Sequence, residues 1–225
     1  MEPTEPFALF DCSLARRATG KACTNLRELL DFITHGSDAA LEHHMMHCAL
    51  DDHFELYEFP NDLARWCRDG LADDVLAEQL GLIDPYQLPS VAALRTELTN
   101  VIEERLWGLE RVTWCRAGLE LYVIESRVIA FDTGERFPTP AALAEALPRL
   151  SLRSLFLHVH EAHLRTAGRT DDFSSWLERY GADPGLVAGL RKIDFYFRNI
   201  EQLRAEMIEV FRQGLTSPVA TSAGR

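Results

Sequence analysis

The chain has 225 residues, of which 47% are hydrophobic and 26% are charged, a composition typical of a folded globular protein. Its formal net charge of −12 argues against nucleic-acid binding, because that binding depends on Lys and Arg side chains that neutralise phosphates. The acidic opening MEPTEPF differs from a secretory signal, and no apolar run is long enough to cross a bilayer, which argues against a membrane partner.

The five cysteines are odd in number and contain no C-x-x-C pair. Such a set is typical of reduced, mostly buried thiols rather than of a disulfide framework. We therefore expect a cytoplasmic protein.

The second half of the sequence repeats the first. Residues 62–86 and 172–196 align without gaps at an offset of 110 and share nine of 25 positions. Further upstream the offset is 114, and it pairs His44 with His158. The repetition predicts two similar helical units related by a pseudo-twofold axis.

The repeats also predict the domain boundaries. Unit 1 is expected over residues 1–115 and ends in a long linking helix, and unit 2 is expected over residues 116–215. Residues 216–225 are small, polar and interrupted by proline, which predicts a flexible tail.

Each predicted unit opens with a strand. Aromatic and β-branched residues cluster in Phe7–Cys12 and in Leu121–Phe131, and a Thr-Gly pair follows each cluster. The pairs at residues 19–20 and 133–134 predict turns that end these strands.

The helix that carries the repeated histidine is predicted over Ser37–Asp52 in one unit and Ser151–Arg165 in the other, with serine as the N-cap. His44 and His158 lie on the apolar stripe of these helices, which faces the core. Three other histidines point away from that stripe and are expected at the surface: His43, His160 and His163.

The following helix begins near a repeated aspartate. Asp62 and Asp172 precede an apolar first turn, and we interpret them as N-caps. Trp66 and Trp176 follow at helical spacing and are expected in the core. Because helical periodicity covers most of the chain, the predicted fold is mainly α, or α+β with a small β component.

Two long blocks carry a family resemblance. The segments YEFPNDLARWCRDGLADDVLAEQLGLIDPY and SLRSLFLHVHEAHLRTAGRTDDFSSWL, with KIDFY and LR after the second, resemble the uncharacterised bacterial and archaeal family DUF5752. The resemblance covers nearly the whole chain apart from the tail. It implies a shared fold and carries no activity, so it transfers no catalytic residue.

The segment EHHMMHCALDDH is the strongest candidate for chemistry. Residues three or four apart on a helix project to the same side, and imidazole binds Zn, Fe, Cu or Ni. A pseudo-twofold pairing of the two histidine helices would bring four ligands together as a metal site. These are His44, His47, His158 and Glu161.

Three interpretations of His44 and His158 stay open: a hydrogen-bonded core imidazole, a metal ligand, or a catalytic acid or base. The lack of H-E-x-x-H or another dedicated metal signature favours the first interpretation. Asp84 and Asp194 repeat together with the histidines and are candidates for their hydrogen-bond partners.

Two classes of function follow. The repeated residues have structural explanations, and the sequence contains no nucleophile elbow, Walker loop or dinucleotide fingerprint, so no catalytic residue is assigned. We therefore predict a non-catalytic binding or adaptor protein that engages another protein through the inter-repeat groove or a helix face. The alternative is a metal-binding protein or enzyme with the histidine and carboxylate site between the repeats. No cofactor is predicted, apart from a transition metal in that alternative.

Overall fold

Helices make up most of the fold, and two long strands pair with each other. The structure is a computed structural model that describes residues 5–50, 58–165 and 168–216. Over these residues the strands and helices are, in chain order, β1 (Phe7–Cys23), α1 (Leu26–His35), α2 (Asp38–Met45), α3 (Asp62–Asp69), α4 (Asp74–Gly81), α5 (Val91–Trp107), β2 (Leu121–Phe137), α6 (Pro140–Ala146), α7 (Leu152–Phe156), α8 (Ala162–Arg165), α9 (Asp172–Tyr180), α10 (Pro184–Arg191) and α11 (Ile200–Thr216). The prediction of a mainly helical chain with a small β component is confirmed.

The chain divides into two compact units. The central unit consists of Ser13–Ile129, and the terminal unit consists of Met1–Cys12 together with Ala130–Arg225. Both divisions fall inside a strand, so β1 and β2 each contribute one part to each unit. These bounds differ from the repeats at residues 1–115 and 116–215, and the assignment of repeat units stays a prediction.

The two strands are antiparallel. In the central unit the Thr19 hydroxyl donates to the Val123 carbonyl at 2.8 Å. In the terminal unit the Thr133 hydroxyl donates to the Leu9 carbonyl at 2.7 Å. Residue numbers therefore rise along β1 while they fall along β2, which defines an antiparallel pair.

The predicted Thr-Gly turns are wrong, because β1 continues past Gly20 and β2 continues past Gly134. The two glycines have φ angles of 77° and 79°. This left-handed conformation is open to glycine at little steric cost and is found at bulges in antiparallel strands. The glycines therefore mark a local irregularity within each strand and do not end it.

The histidine-bearing helices begin at the predicted serine caps. Ser37 accepts a hydrogen bond from the Ala40 N–H at 3.3 Å, and Ser151 accepts one from the Ser154 N–H at 2.9 Å. Each helix then becomes irregular. A 3-10 turn over His47–Leu50 follows α2, and in the terminal unit a π-helical segment over residues 157–161 joins α7 to α8.

The caps of the following helices correct the sequence interpretation. The side chain of Asn61 accepts the Ala64 N–H at 2.8 Å, and the side chain of Asp171 accepts the Ser174 N–H at 2.7 Å. Asn61 and Asp171 are therefore the N-caps. Asp62 and Asp172, one position later, are the first residues of α3 and α9, which leaves their carboxylates available for other partners.

Both repeated tryptophans are buried, and each indole N–H has a carbonyl acceptor. Trp66 donates to the Leu119 carbonyl at 2.6 Å in the central unit. Trp176 donates to the Glu5 carbonyl at 2.9 Å in the terminal unit. Each ring thereby adds apolar packing while its polar atom remains paired.

Some predictions fall on parts of the chain without a described structure. The fall in the repeat offset from 114 to 110 predicts four extra residues near 53–59. This segment lies mostly outside the described residues, as does the predicted tail beyond Thr216. Within the described residues, no helix is both long and apolar enough to span a bilayer.

Candidate functional site

The central unit holds His44 between a carboxylate and a strand. The His44 Nδ1 atom lies 2.9 Å from an Asp62 carboxylate oxygen, and its Nε2 atom accepts the backbone N–H of Ile124 at 3.2 Å. His44 lies in α2, Asp62 begins α3 and Ile124 belongs to β2. One buried imidazole thus joins two helices to the sheet.

The terminal unit repeats this arrangement with other residues. The His158 Nδ1 atom lies 2.6 Å from an Asp172 carboxylate oxygen, and its Nε2 atom accepts the backbone N–H of Phe10 at 3.0 Å. Here the histidine belongs to the π-helical segment, the aspartate to α9 and the strand residue to β1. Two helical segments are again tied to a strand.

These contacts define the protonation of both rings. A nitrogen that accepts a backbone N–H carries no proton, so the proton sits on Nδ1 and is donated to the carboxylate. Each ring is therefore a neutral imidazole with both nitrogens hydrogen-bonded. To act as a base or a metal ligand, it would first have to break one of these bonds.

An arginine completes each pair. Arg65, three residues after Asp62 on α3, contacts the Asp62 carboxylate, and Arg165 of α8 contacts the Asp172 carboxylate. Burial alone would raise the pKa of Asp62. The hydrogen bond from His44 and the charge of Arg65 outweigh burial and lower that pKa, so the carboxylate stays ionised.

His43 was expected at the surface, and that prediction is wrong. His43 is buried, and both it and His47 place their Nδ1 atoms against the buried hydroxyl of Ser126, at 2.9 Å and 2.8 Å. The face of α2 that points away from the apolar stripe is therefore covered by β2. Burial lowers the pKa of His43 to about 3, so its ring is neutral near pH 7.

His160 is also buried, against the sequence prediction, whereas His163 is half-buried. The His160 ring stacks on Phe156 with the ring centroids 5.1 Å apart. It meets the Phe195 ring edge-on at a centroid distance of 5.0 Å. Burial and nearby His163 lower the pKa of His160 to about 3. The π-helical segment rotates this residue away from the direction that regular helical spacing predicts.

The predicted metal ligands fall in two different compact units. His44 and His47 belong to the central unit, and His158 and Glu161 belong to the terminal unit. The four-residue site stays a prediction. Within the central unit, His43, His44 and Asp62 offer ligand atoms that all lie within 4.8 Å of one another.

The proposed partners Asp84 and Asp194 are corrected as well, because Asp62 and Asp172 take that role. Asp84 instead accepts the Tyr86 N–H at 2.8 Å and caps a short 3-10 turn. Asp194 is exposed. Repetition in the sequence thus identified the right residue type but the wrong pair of carboxylates.

Sequence reasoning missed three kinds of participant: the strand N–H donors of Phe10 and Ile124, the shared hydroxyl of Ser126, and the arginines. The sequence did contain a signal for the two strand N–H donors. Phe10 and Ile124 are 114 positions apart, the same offset that relates His44 to His158. The pairing of each histidine with the strand from the other half of the sequence follows only from the fold.

Removal of the buried imidazole is expected to destabilise the central unit. In His44→Ala the Asp62 carboxylate and the Ile124 N–H both lose a partner in a dry environment, so we expect a loss of about 2–4 kcal/mol in the free energy of unfolding. His158→Ala should cost less, because water can reach Asp172. Urea denaturation measures both changes.

The control for this experiment is His35→Ala, since the His35 side chain is 72% exposed. It should change the free energy of unfolding by no more than about 0.5 kcal/mol. Equal effects of His44→Ala and His35→Ala would contradict the assigned role of His44.

The buried His43 predicts a specific pH dependence. Its folded pKa of about 3 lies below the ordinary value of 6.5, so between these values the unfolded chain binds the extra proton. Stability is therefore lost as the pH falls from about 6.5 towards about 3, by up to about 1.4 kcal/mol per pH unit for one proton. His43→Leu should flatten this dependence by about one proton, and His35→Leu should leave it unchanged.

Leucine is the natural replacement, because Leu157 stands at the position offset by 114 from His43. Unfolding free energies measured at several pH values between 4 and 7 provide the slopes. Parallel slopes for the wild type and His43→Leu would show that His43 does not titrate in this window.

Comparison with known proteins identifies a family and a fold. Residues 4–212 match the model of the "Family of unknown function (DUF5752)". A solved structure described as "The structure of OrfY from Thermoproteus tenax" is similar, with a TM-score of 0.77 and 24% sequence identity over 96% of this chain and 99% of that chain. No curated protein matches. With nearly its whole length matched, this chain belongs to the DUF5752 family of unknown function.

Proposed function

We propose that this chain is a non-catalytic binding protein that engages another protein through an exposed helix face. The observation that carries the proposal is the state of the repeated histidines: both ring nitrogens of His44 and of His158 are bonded within their own units. Such rings offer no lone pair to a substrate. The residues that the two halves share therefore serve the fold, which supports a binding role over a catalytic one.

The surface of the central unit supports the same role. Val75 and Leu82, at the two ends of α4, are 55% and 74% exposed, and Trp107, at the end of α5, is 89% exposed. The ion pair of Arg105 with Asp73, at 2.8 Å, holds the end of α5 beside the start of α4. Val75 and Trp107 therefore lie at the same end of this helix pair.

The chemistry of this face indicates the kind of partner. Exposed tryptophan is the residue most enriched among side chains that dominate binding energy at protein interfaces. Glu103, Glu104 and Glu110, within four residues of Trp107, and Asp74 at the start of α4 are exposed acidic residues. An apolar pocket with a basic rim on the partner would complement this face, because apolar burial supplies affinity and opposite charge supplies orientation.

An internal duplication belongs to the proposal too. It is supported by the equivalent contacts of His44 and His158, whose strand donors and histidines share the offset of 114. The pseudo-twofold axis and the inter-repeat groove predicted from the sequence stay predictions.

The binding proposal is tested with charge substitutions on the helix face. Affinity-tagged chain should recover a stoichiometric protein partner from the native cytosol. The double variant Val75→Glu, Trp107→Glu should recover at least about tenfold less of that partner, because it places two charges in the apolar contact. Quantitative mass spectrometry of the eluates measures the difference.

A matched control is Leu215→Glu, at an exposed leucine of α11 in the terminal unit. It should recover as much partner as the wild type. Equal recovery by the wild type and by the double variant would exclude this face as the binding surface.

One observation favours the metal-binding alternative as a second candidate. His43, His44 and Asp62 bring three potential ligand atoms within 4.8 Å, and two imidazoles with a carboxylate suit Zn or another transition metal. Binding would have to replace a hydrogen bond of His44. In this candidate all three metal ligands belong to the central unit.

Elemental analysis of freshly purified protein decides between the candidates. A metal site predicts about one transition-metal equivalent per chain in the wild type and in His35→Leu, with most of it lost in His43→Leu because one of three ligands is removed. A wild type without stoichiometric metal would exclude this candidate.

A further inference from the structure

A wide groove opens in the terminal unit beside the His158–Asp172 pair. Its volume is about 870 Å³, within the range of small-molecule sites in proteins. The central unit has a groove of about 490 Å³, but its lining includes neither His44 nor Asp62. Over the described residues, the groove of the terminal unit includes the three members of the histidine–aspartate–arginine combination, and the groove of the central unit does not.

One position near the aspartate differs between the two units. In the central unit Arg65 closes over Asp62, and their side chains are 20% and 8% exposed. The residue at the position of Arg65, offset by 110, is Ser175. With a serine there, the guanidinium comes from Arg165 on α8, and the side chains of Arg165 and Asp172 are 51% and 24% exposed. The groove lies where the longer arginine side chain is missing.

The polar part of the lining carries charges of both signs, from the guanidinium groups of Arg165 and Arg179 and from the carboxylates of Glu5 and Asp172. The Ser175 hydroxyl donates to the Asp171 carbonyl at 2.8 Å and lies 2.8 Å from the Thr170 hydroxyl, so these two hydroxyls bond within the protein. The carboxylate of Asp172 already binds His158 and Arg165. Two guanidinium groups in one groove are notable in a chain of net charge −12, and their planar donor forks match carboxylate and phosphate groups.

The groove also has an aromatic wall. Phe7 stacks on Phe173 with the ring centroids 5.0 Å apart, and Trp176 meets Phe7 edge-on at 5.7 Å. Phe10, on the same strand as Phe7, is 38% exposed and lines the groove. Because Phe7, Phe173 and Trp176 are buried, Phe10 provides the exposed ring against which a flat apolar group can lie.

We propose that this groove binds a small organic anion in which a phosphate or carboxylate is attached to a flat aromatic ring. The guanidinium groups of Arg165 and Arg179 hold the anion, and the Phe10 side of the groove holds the ring. This site lies in the terminal unit and does not depend on the helix face of the central unit, so either proposal can fail without the other.

Isothermal titration calorimetry with the full chain tests the proposal. The probes are phenyl phosphate, adenosine monophosphate and benzoate, with inorganic phosphate and adenosine as the fragments that lack one half of the ligand. At least one ring-bearing anion should bind at least about tenfold more tightly than inorganic phosphate and adenosine, because each fragment lacks one of the two contacts. Phenyl phosphate against benzoate identifies the anionic group.

Two substitutions locate the site. Ser175→Arg places the residue of the central unit into the groove, and Arg179→Gln removes a charged donor while the side chain keeps its polar end. Each should weaken binding at least about tenfold, because the first fills the groove and the second removes a charge-assisted hydrogen bond. Their matched controls are Thr96→Arg on α5 and Arg212→Gln on α11, both exposed and outside the groove, and both should bind as the wild type does.

The ligand series tests the ligand class, and the substitutions test the position of the site. No binding of any ring-bearing anion, equal binding of inorganic phosphate, or equal binding of neutral adenosine would overturn the proposed ligand class. Unchanged binding in Arg179→Gln and in a folded Ser175→Arg would overturn the proposed site. A Ser175→Arg chain that does not fold leaves Arg179→Gln to decide.

Discussion

An imidazole fixed between a carboxylate and a strand N–H is the contact on which each unit depends. A two-stranded ribbon is marginally stable by itself in water, so β1 and β2 need the helices that pack against them. His44 and His158 supply a polar link to that packing, because each also hydrogen-bonds to the aspartate at the start of the next helix. One histidine side chain thus joins the two helices to the strand, and it hydrogen-bonds to both the aspartate carboxylate and the strand N–H.

The same contact has different surroundings in the two units. Arg65 follows its aspartate by three residues on α3 and closes the site, whereas Ser175 occupies that position in the terminal unit and Arg165 reaches Asp172 from another helix. A histidine that only held the fold together would need no groove beside it. This contrast is why the terminal unit, although its histidine is equally well bonded, is the place to look for a small ligand.

Several features could be read from local sequence because neighbouring residues determine them. The serine caps Ser37 and Ser151 and the buried Trp66 and Trp176 follow from hydroxyl capping and helical periodicity. The caps of α3 and α9 were misplaced by one residue, because Asn61-Asp62 and Asp171-Asp172 each present two adjacent capping side chains, and only the histidine contact shows which of them caps the helix. His160 was misplaced because regular spacing does not anticipate a π-helical segment.

By itself, the sequence determined which residue types recur, where the serine-capped helices begin and that Trp66 and Trp176 are buried, because these properties depend on side chains within a few positions of one another. The tertiary structure decided the partners. His44 bonds to a strand residue 80 positions away and His158 to one 148 positions away. The buried His43 and His47 both contact the Ser126 hydroxyl. No local pattern encodes these contacts, because each arises only when a strand from one half of the sequence packs on helices from the other.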